Sequence, residues 1–212
     1  MNENNNGRGL FYGVIGVATL IVAIIGATFA YFSVNASITN NNNIAGSTVE
    51  LSDTTIAGTL TRVTPSTVSM VPLKTEELQK GITGEGNQKC IDENGAKVCD
   101  IYTLTINNTS NAPVSLAGNL NITATDMADL RWSLLESPDS ATGATAKAVS
   151  DTVIVANEVL AAKTGTKTYH FVIWFNETEL NQNTQAGKSY SGTVSFTAAN
   201  GGKITAQFSS GS

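Results

Sequence analysis

One histidine, two cysteines and a low share of charged residues each remove a class of function from this 212-residue chain. A single histidine, His170, cannot supply the H-E-x-x-H pair of a zinc hydrolase. A Ser-His-Asp site would have to use that same residue, and no G-x-S-x-G element accompanies it. No basic cluster is present to displace phosphate counterions, so nucleic acid is not expected as a partner. The two cysteines, spaced C-x8-C, match no redox C-x-x-C motif, and with no histidine near them they make a poor zinc site. The chain reads as non-enzymatic, with no metal and no cofactor. Charged residues make up 14% of the chain and the net charge is −5, so little repulsion opposes close approach of two copies.

What the chain does contain is one long uncharged run, residues 10–32 (LFYGVIGVATLIVAIIGATFAYF). At ~1.5 Å per residue a helix of that length crosses the roughly 30 Å hydrocarbon core of a bilayer. Arg8 is the only basic residue ahead of it, and the positive-inside bias leaves residues 1–9 in the cytoplasm and the rest outside. The expected location is the cell surface or the extracellular space, with the membrane and a signal peptidase as partners during export. Two fates are open for the run. Its small-residue end permits cleavage between Ala30 and Tyr31, or after Ala36; uncut, it remains an anchor with Tyr31 and Phe32 at the membrane interface.

Beyond the run, residues 31–39 (YFSVNASIT) alternate, with Phe32, Val34, Ala36 and Ile38 on one side and Tyr31, Ser33, Asn35 and Ser37 on the other. Such a strand has no partner in its own neighbourhood. Added to an open sheet edge it would satisfy backbone groups there and insert its apolar side. The polar stretch 33–47 reads as an extended leader or linker.

Cys90 and Cys99 bracket IDENGAKV. Asn94-Gly95 is a strong hairpin signal, and a two-residue loop there places Cys90 directly opposite Cys99 at a non-hydrogen-bonded pair, within disulfide reach. In an exported domain a Cys90–Cys99 disulfide is expected. Asp92, Glu93 and Asn94 are explained by the turn without a bound cation.

From 48 to 208 the chain breaks into short alternating pieces: 48–56, 59–63, 68–71, 101–107, 114–117, 119–125, 130–135, 152–156, 158–161, 168–175, 190–198 and 203–208. Residues 73–80 read as a short helix closed by Gly81 in a left-handed cap. In 190–198 Tyr190, Gly192, Val194, Phe196 and Ala198 point inward. In 168–175 both faces are apolar, so that strand must be covered on both sides, by its own domain or by another chain. Trp132 and Trp174 read as core, and His170 as a surface or cross-strand residue. The expected fold is an all-β antiparallel two-sheet sandwich, jelly-roll-like, preceded by one N-terminal hydrophobic helix and followed by a frayed end at 209–212.

GATFAYFS at 26–33 is similar to the end of signal sequences cut by a SipW-type signal peptidase. Together with IAGSTVEL at 44–51, VPLKTEELQKG at 71–81, residues 102–116 and QAGKSYSGTVSFTA at 185–198, it resembles the TasA/camelysin family of secreted matrix proteins. The resemblance implies a jelly-roll subunit that assembles with itself into biofilm matrix fibres, its freed N-terminal segment pairing as an extra strand with the next subunit. The camelysin branch has been classed with metallopeptidases, a chemistry for which His170 alone does not suffice. Two other readings stay open. Arg8-Gly9-Leu10-Phe11 resembles a prepilin cleavage site, although Val14 stands where bacterial pilins commonly carry an acidic residue, and an uncut chain would be a membrane-anchored surface or adhesin domain. No pattern identifies a polysaccharide ligand.

Overall fold

The computed structural model describes residues 17, 19, 39–40, 48–52, 55–64, 70–83, 89–185 and 187–210. They belong to two units, Met1–Ser37 and Ile38–Ser212. In the first, Val17 and Thr19 are helical. The remainder of the 10–32 run, the cleavage position at Ala30 and Tyr31, and the apolar leader side Phe32, Val34, Ala36 and Ile38 lie outside the described residues. Among the described residues no helix is long and apolar enough to cross a membrane.

The second unit is a β-sandwich. Its strands are β1 (Thr39–Asn40), β2 (Thr48–Ser52), β3 (Ile56–Arg62), β4 (Cys99–Asn108), β5 (Val114–Ala124), β6 (Leu130–Leu135), β7 (Lys147–Ala148), β8 (Val153–Leu160), β9 (Thr166–Phe175), β10 (Tyr190–Ala198) and β11 (Lys203–Ser209). They form a five-stranded sheet, β1-β11-β10-β5-β8, and a six-stranded sheet, β2-β3-β4-β9-β6-β7. Every pairing between these strands is antiparallel except β1 with β11, which is parallel through Thr39–Thr205 and Asn40–Ala206.

Period-two alternation builds the core. Tyr190, Val194, Phe196 and Ala198 of β10 meet Tyr102, Leu104 and Ile106 of β4 and Phe171 and Ile173 of β9 in one buried cluster between the sheets. Aromatic rings organise it: Tyr102 stacks on Phe171 at 5.1 Å, and Phe208 leans on both. Among the opposite, outward residues are several uncharged rows. On the six-stranded sheet these are Thr61–Thr103–His170 and Thr59–Thr105–Thr168. On the five-stranded sheet they are Thr205–Ser195–Asn119 and Gln207–Thr193–Asn121.

The doubly apolar β9 is covered by its own domain. Val172 and Trp174, on its outer face, are fully buried in a second cluster with Ile101, the disulfide, and Leu78 and Ile82 of the short helix Leu78–Ile82. That helix corrects the expected cap at Gly81: it continues through Gly81 to Ile82 after a 3-10 turn at Thr75–Glu77. Gly81 is there for proximity, since a Cβ would lie 3.1 Å from both Leu73 and Val98. Three expected breaks are also absent: β3 runs unbroken through Gly58, with Ile56 starting it and not ending the strand before it, and β5 and β8 each run unbroken, their irregularity absorbed by register shifts between Leu116 and Asn119. The chain end is ordered beyond the expected fraying point: Ser209 belongs to β11 and Ser210 is buried.

Close packing at Gly192 gives a direct test of the core. A Cβ there would sit 2.2 Å from the Phe208 ring, which is itself 1% exposed. Gly192→Ala should lower unfolding free energy by about 1–3 kcal/mol through overpacking, read from the urea midpoint at unchanged slope.

Candidate functional site

Two features can bear on function: the edges of the sheets, and a buried charged cluster that holds one of those edges in place. The cluster is built around Asp100 of β4. Its Oδ1 accepts hydrogen bonds from Arg62 Nε at 3.0 Å and Nη2 at 2.6 Å and from Thr64 Oγ1 at 2.9 Å. Lys97 Nζ lies 2.8 Å from the same oxygen, and Tyr190 Oη donates to Oδ2 at 2.6 Å. Arg62, Lys97, Asp100, Tyr102 and Tyr190 are all buried.

The same side chains reach the end of β11. Arg62 Nη2 donates to the Ser210 carbonyl at 3.0 Å, and Tyr102 Oη donates to that of Ser209 at 3.2 Å. Tyr190 exchanges backbone bonds with Ser210, accepting from its N–H at 3.0 Å and donating to its Oγ at 3.2 Å. The strand that receives β1 is therefore anchored at its end to β3, β4 and β10.

Two cations share one carboxylate, and the titrations follow from that. Burial, the largest single influence, pulls the Arg62 guanidinium down, but Asp100 together with Tyr102 and Tyr190 outweighs it and the net shift is upward. For Lys97 burial dominates over Asp100 and the ammonium is pushed below 10.5. Burial, reinforced by the Asp100 charge, raises the phenols of Tyr102 and Tyr190 well above 10.0. Arg62 Nη1 has no hydrogen-bond partner among the described residues.

The disulfide joins Cys90 and Cys99, with Cα atoms 5.0 Å apart and both residues fully buried. Its hairpin corrects the expected register. Asp92 N–H bonds to the Ala96 carbonyl, Ile91 bridges Lys97, and Val98 N–H bonds to the Cys90 carbonyl, so Cys90 faces Val98 and the bridge runs diagonally. The loop has three residues, Glu93 to Gly95, because Asp92 Oδ1 accepts from the N–H groups of Asn94 and Ala96 and Gly95 takes the left-handed conformation at φ +80.

His170 sits half-buried on the outer face of β9, with Nδ1 2.9 Å from Thr103 Oγ1. Burial lowers its pKa from 6.5. Trp132 and Trp174 are both fully buried and line no groove. A cleft of about 400 Å³ between the short helix and the hairpin is lined by Leu73, Glu77, Lys80, Ile91, Asp92 and Val98. Of its lining carboxylates, that of Asp92 is occupied by the turn. Among the described residues no group of three His, Cys, Asp or Glu side chains could hold a metal ion.

Sequence reasoning missed the Asp100 cluster altogether. The available signal was a charged residue inside CDIY, where β4 is buried at four consecutive positions and no solvent-facing site exists for it.

No family model matches the chain, and no curated protein matches it. Solved structures with some likeness include a FixG-related protein from Vibrio parahaemolyticus, 12% identical over 52% of this chain and 75% of that one, TM-score 0.31. Another is the structural-genomics target SoR45, 10% identical over 76% and 89%, TM-score 0.30. ApaA from Bordetella pertussis is 12% identical over 73% and 90%, TM-score 0.26. Likeness at these scores carries no inference for this chain.

Replacing Asp100 with Ala leaves two buried cations unpaired and should cost about 3–5 kcal/mol in a urea titration. A loss under about 1 kcal/mol would show that Asp100 is not their partner. The raised phenols predict behaviour in alkali. Unfolded tyrosines release protons near 10.0 while Tyr102 and Tyr190 retain theirs, so their contribution is complete below pH 10.0 and drains away above it. Lys97 acts in the opposite sense, its cost easing as pH approaches 10.5. In an alkaline titration their phenolate absorbance should appear together with loss of circular dichroism. Ionisation of Tyr102 and Tyr190 with the fold intact would contradict the cluster.

Proposed function

We propose that this chain is an exported structural subunit, non-enzymatic, that polymerises into extracellular matrix fibres by adding its N-terminal segment as a strand to another copy. The observation that carries the reading is β1. The residues directly after the alternating 31–38 leader lie as an added strand on the β11 edge. This stretch of chain is thus one that pairs with a sheet edge, as strand donation requires.

Three further facts support it. The fold is a sandwich whose chain crosses between sheets at β1–β2, β4–β5, β5–β6, β7–β8, β8–β9 and β9–β10, which suits the jelly-roll arrangement of the TasA/camelysin family that the sequence resembles. The disulfide suits an oxidising compartment outside the membrane. The uncharged outer rows oppose no close contact between copies. On this reading residues 10–32 form the hydrophobic helix of an export signal, cut near Ala30 and Tyr31, and the partners are other copies of the chain. The 23-residue uncharged run also supports a second reading, a tethered surface domain, should the run stay uncut.

Deleting residues 31–38 from the processed protein should abolish filaments in electron micrographs while leaving the thermal midpoint of the monomer unchanged. Filaments of normal length from that deletion would reject strand donation. The N-terminal residue of the exported protein separates the readings further: a start at or near Tyr31 supports the fibre subunit, and an intact chain in the membrane fraction supports the tethered domain.

A further inference from the structure

Strand donation, on whose correctness this inference rests, leaves open which edge of the neighbouring copy receives the strand. We infer that the acceptor is the β8 edge of the five-stranded sheet, so that β1 of one copy lies between its own β11 and β8 of the next.

Direction is the first argument. Taking β11 as pointing up, β10 points down, β5 up and β8 down, because those pairings are antiparallel. The parallel pairing sets β1 pointing up. The two end strands of the sheet, β1 and β8, therefore run in opposite directions. When a second copy is placed beside the first in the same orientation, its β1 meets β8 antiparallel, the more stable pairing. Had β1 been antiparallel to β11, the same placement would have given a parallel joint.

Position is the second. β1 and β8 stand at opposite ends of one sheet. A contact between two different edges is head-to-tail, and copies added this way extend as an open filament wherever the rotation from copy to copy does not close a ring. The sheet then continues through successive subunits. Register shifts between β5 and β8 add right-handed twist, which a filament carries as rotation from copy to copy.

Protection is the third. Edge strands that must not pair are kept very short or carry lysine or proline. β8 has eight residues, VIVANEVL, with neither; at its first residue alone, Lys147 Nζ donates to the Val153 carbonyl at 3.0 Å, which leaves the rest of the strand open. Its one charge, Glu158, is engaged by Lys167 of the same sandwich at 3.3 Å. Val153 and Val159 are 45% and 63% exposed on this strand. The leader is uncharged and alternates with Phe32, Val34, Ala36 and Ile38 on one side, so it brings no charge to an edge that presents valines. The occupant is thus the strand ending in β1 of a second copy.

The test uses the exported protein with Thr39→Cys combined in turn with Val153→Cys and Val159→Cys. The native cysteines are already paired, so new bonds report new contacts. Filaments should give a covalent ladder on a non-reducing gel with at least one of these pairs, while Thr39→Cys with Ser52→Cys, on the β2 edge of the other sheet, should stay monomeric. A ladder only through Ser52, or none through β8 in intact filaments, overturns the β8 acceptor and leaves strand donation standing. As a second readout, Val153→Lys with Val159→Lys should eliminate filaments without moving the monomer's thermal midpoint. Full filaments from that double variant would also overturn the assignment. Failure of strand donation itself is read separately, from filaments that survive loss of 31–38.

Discussion

Burying two cations beside one carboxylate costs several kcal/mol per ion unless every charge finds partners, and the sandwich is arranged so that Asp100 supplies them. Satisfying that carboxylate requires Arg62 from the end of β3, Thr64 just beyond it, Lys97 from the hairpin and Tyr190 from the start of β10. These residues come from both sheets. Tyr190 and the end of β11 reach the cluster only when the sheets have docked in one relative position, so it acts as a check on the packing that hydrophobic burial alone, being non-directional, does not enforce. Its remaining donors fall on the carbonyls of Ser209 and Ser210, which fixes where β11 ends.

A second polar hub stands at the other end of the same strand. Asn108, the last residue of β4 and 1% exposed, donates through Nδ2 to the carbonyls of Ala112, Leu160 and Ala161 and accepts from Ser110. Leu160 is the last residue of β8. β4 thus grips β11 with its first residues and β8 with its last. The two outer parts of the five-stranded sheet are tied to the centre of the six-stranded one. Both hubs face inward, at even positions of β4, with Tyr102, Leu104 and Ile106 between them as the apolar filling. The disulfide adds a third tie, attaching the hairpin to the residue next to Asp100.

The sequence showed the apolar positions far better than these polar ones. Alternation in 190–198 and 168–175 was read correctly because each inward residue repeats the same message, and one strand face contains many of them. The cover over Val172 and Trp174 was legible only as a requirement, since nothing local says that Leu78 and Ile82 supply it. Asp100 and Asn108 are single residues whose distant partners lie 36 to 90 positions away along the chain, and no spacing rule reaches them. The hairpin register failed for a local reason. Asn94-Gly95 favours a two-residue loop, but the Asp92 carboxylate, two places earlier, stabilises a longer one by capping two backbone N–H groups. The uninterrupted β5 and β8 were missed because a register shift leaves the strand whole while disturbing the alternation that strand reading depends on.

A sandwich tied in this way has little freedom in its faces or its core, and under the proposed strand donation recognition between copies would fall to the edges. The edges are not equivalent. β7 is two residues long and its flank is held down, with Trp132 Nε1 donating to the carbonyls of Ala148 and Asp151 and Lys147 lying 4.7 Å over the Trp132 ring. Pairing along so short and tethered a strand would bring few backbone bonds. β8 is four times as long, is held at its Leu160 end by Asn108, and keeps Val153 and Val159 in solvent. A rigid edge loses little entropy when a new strand adds, so most of the ordering cost of assembly falls on the incoming segment. That division suits a subunit that folds first and polymerises later, because the acceptor is complete before any partner arrives and only the donor has to be ordered.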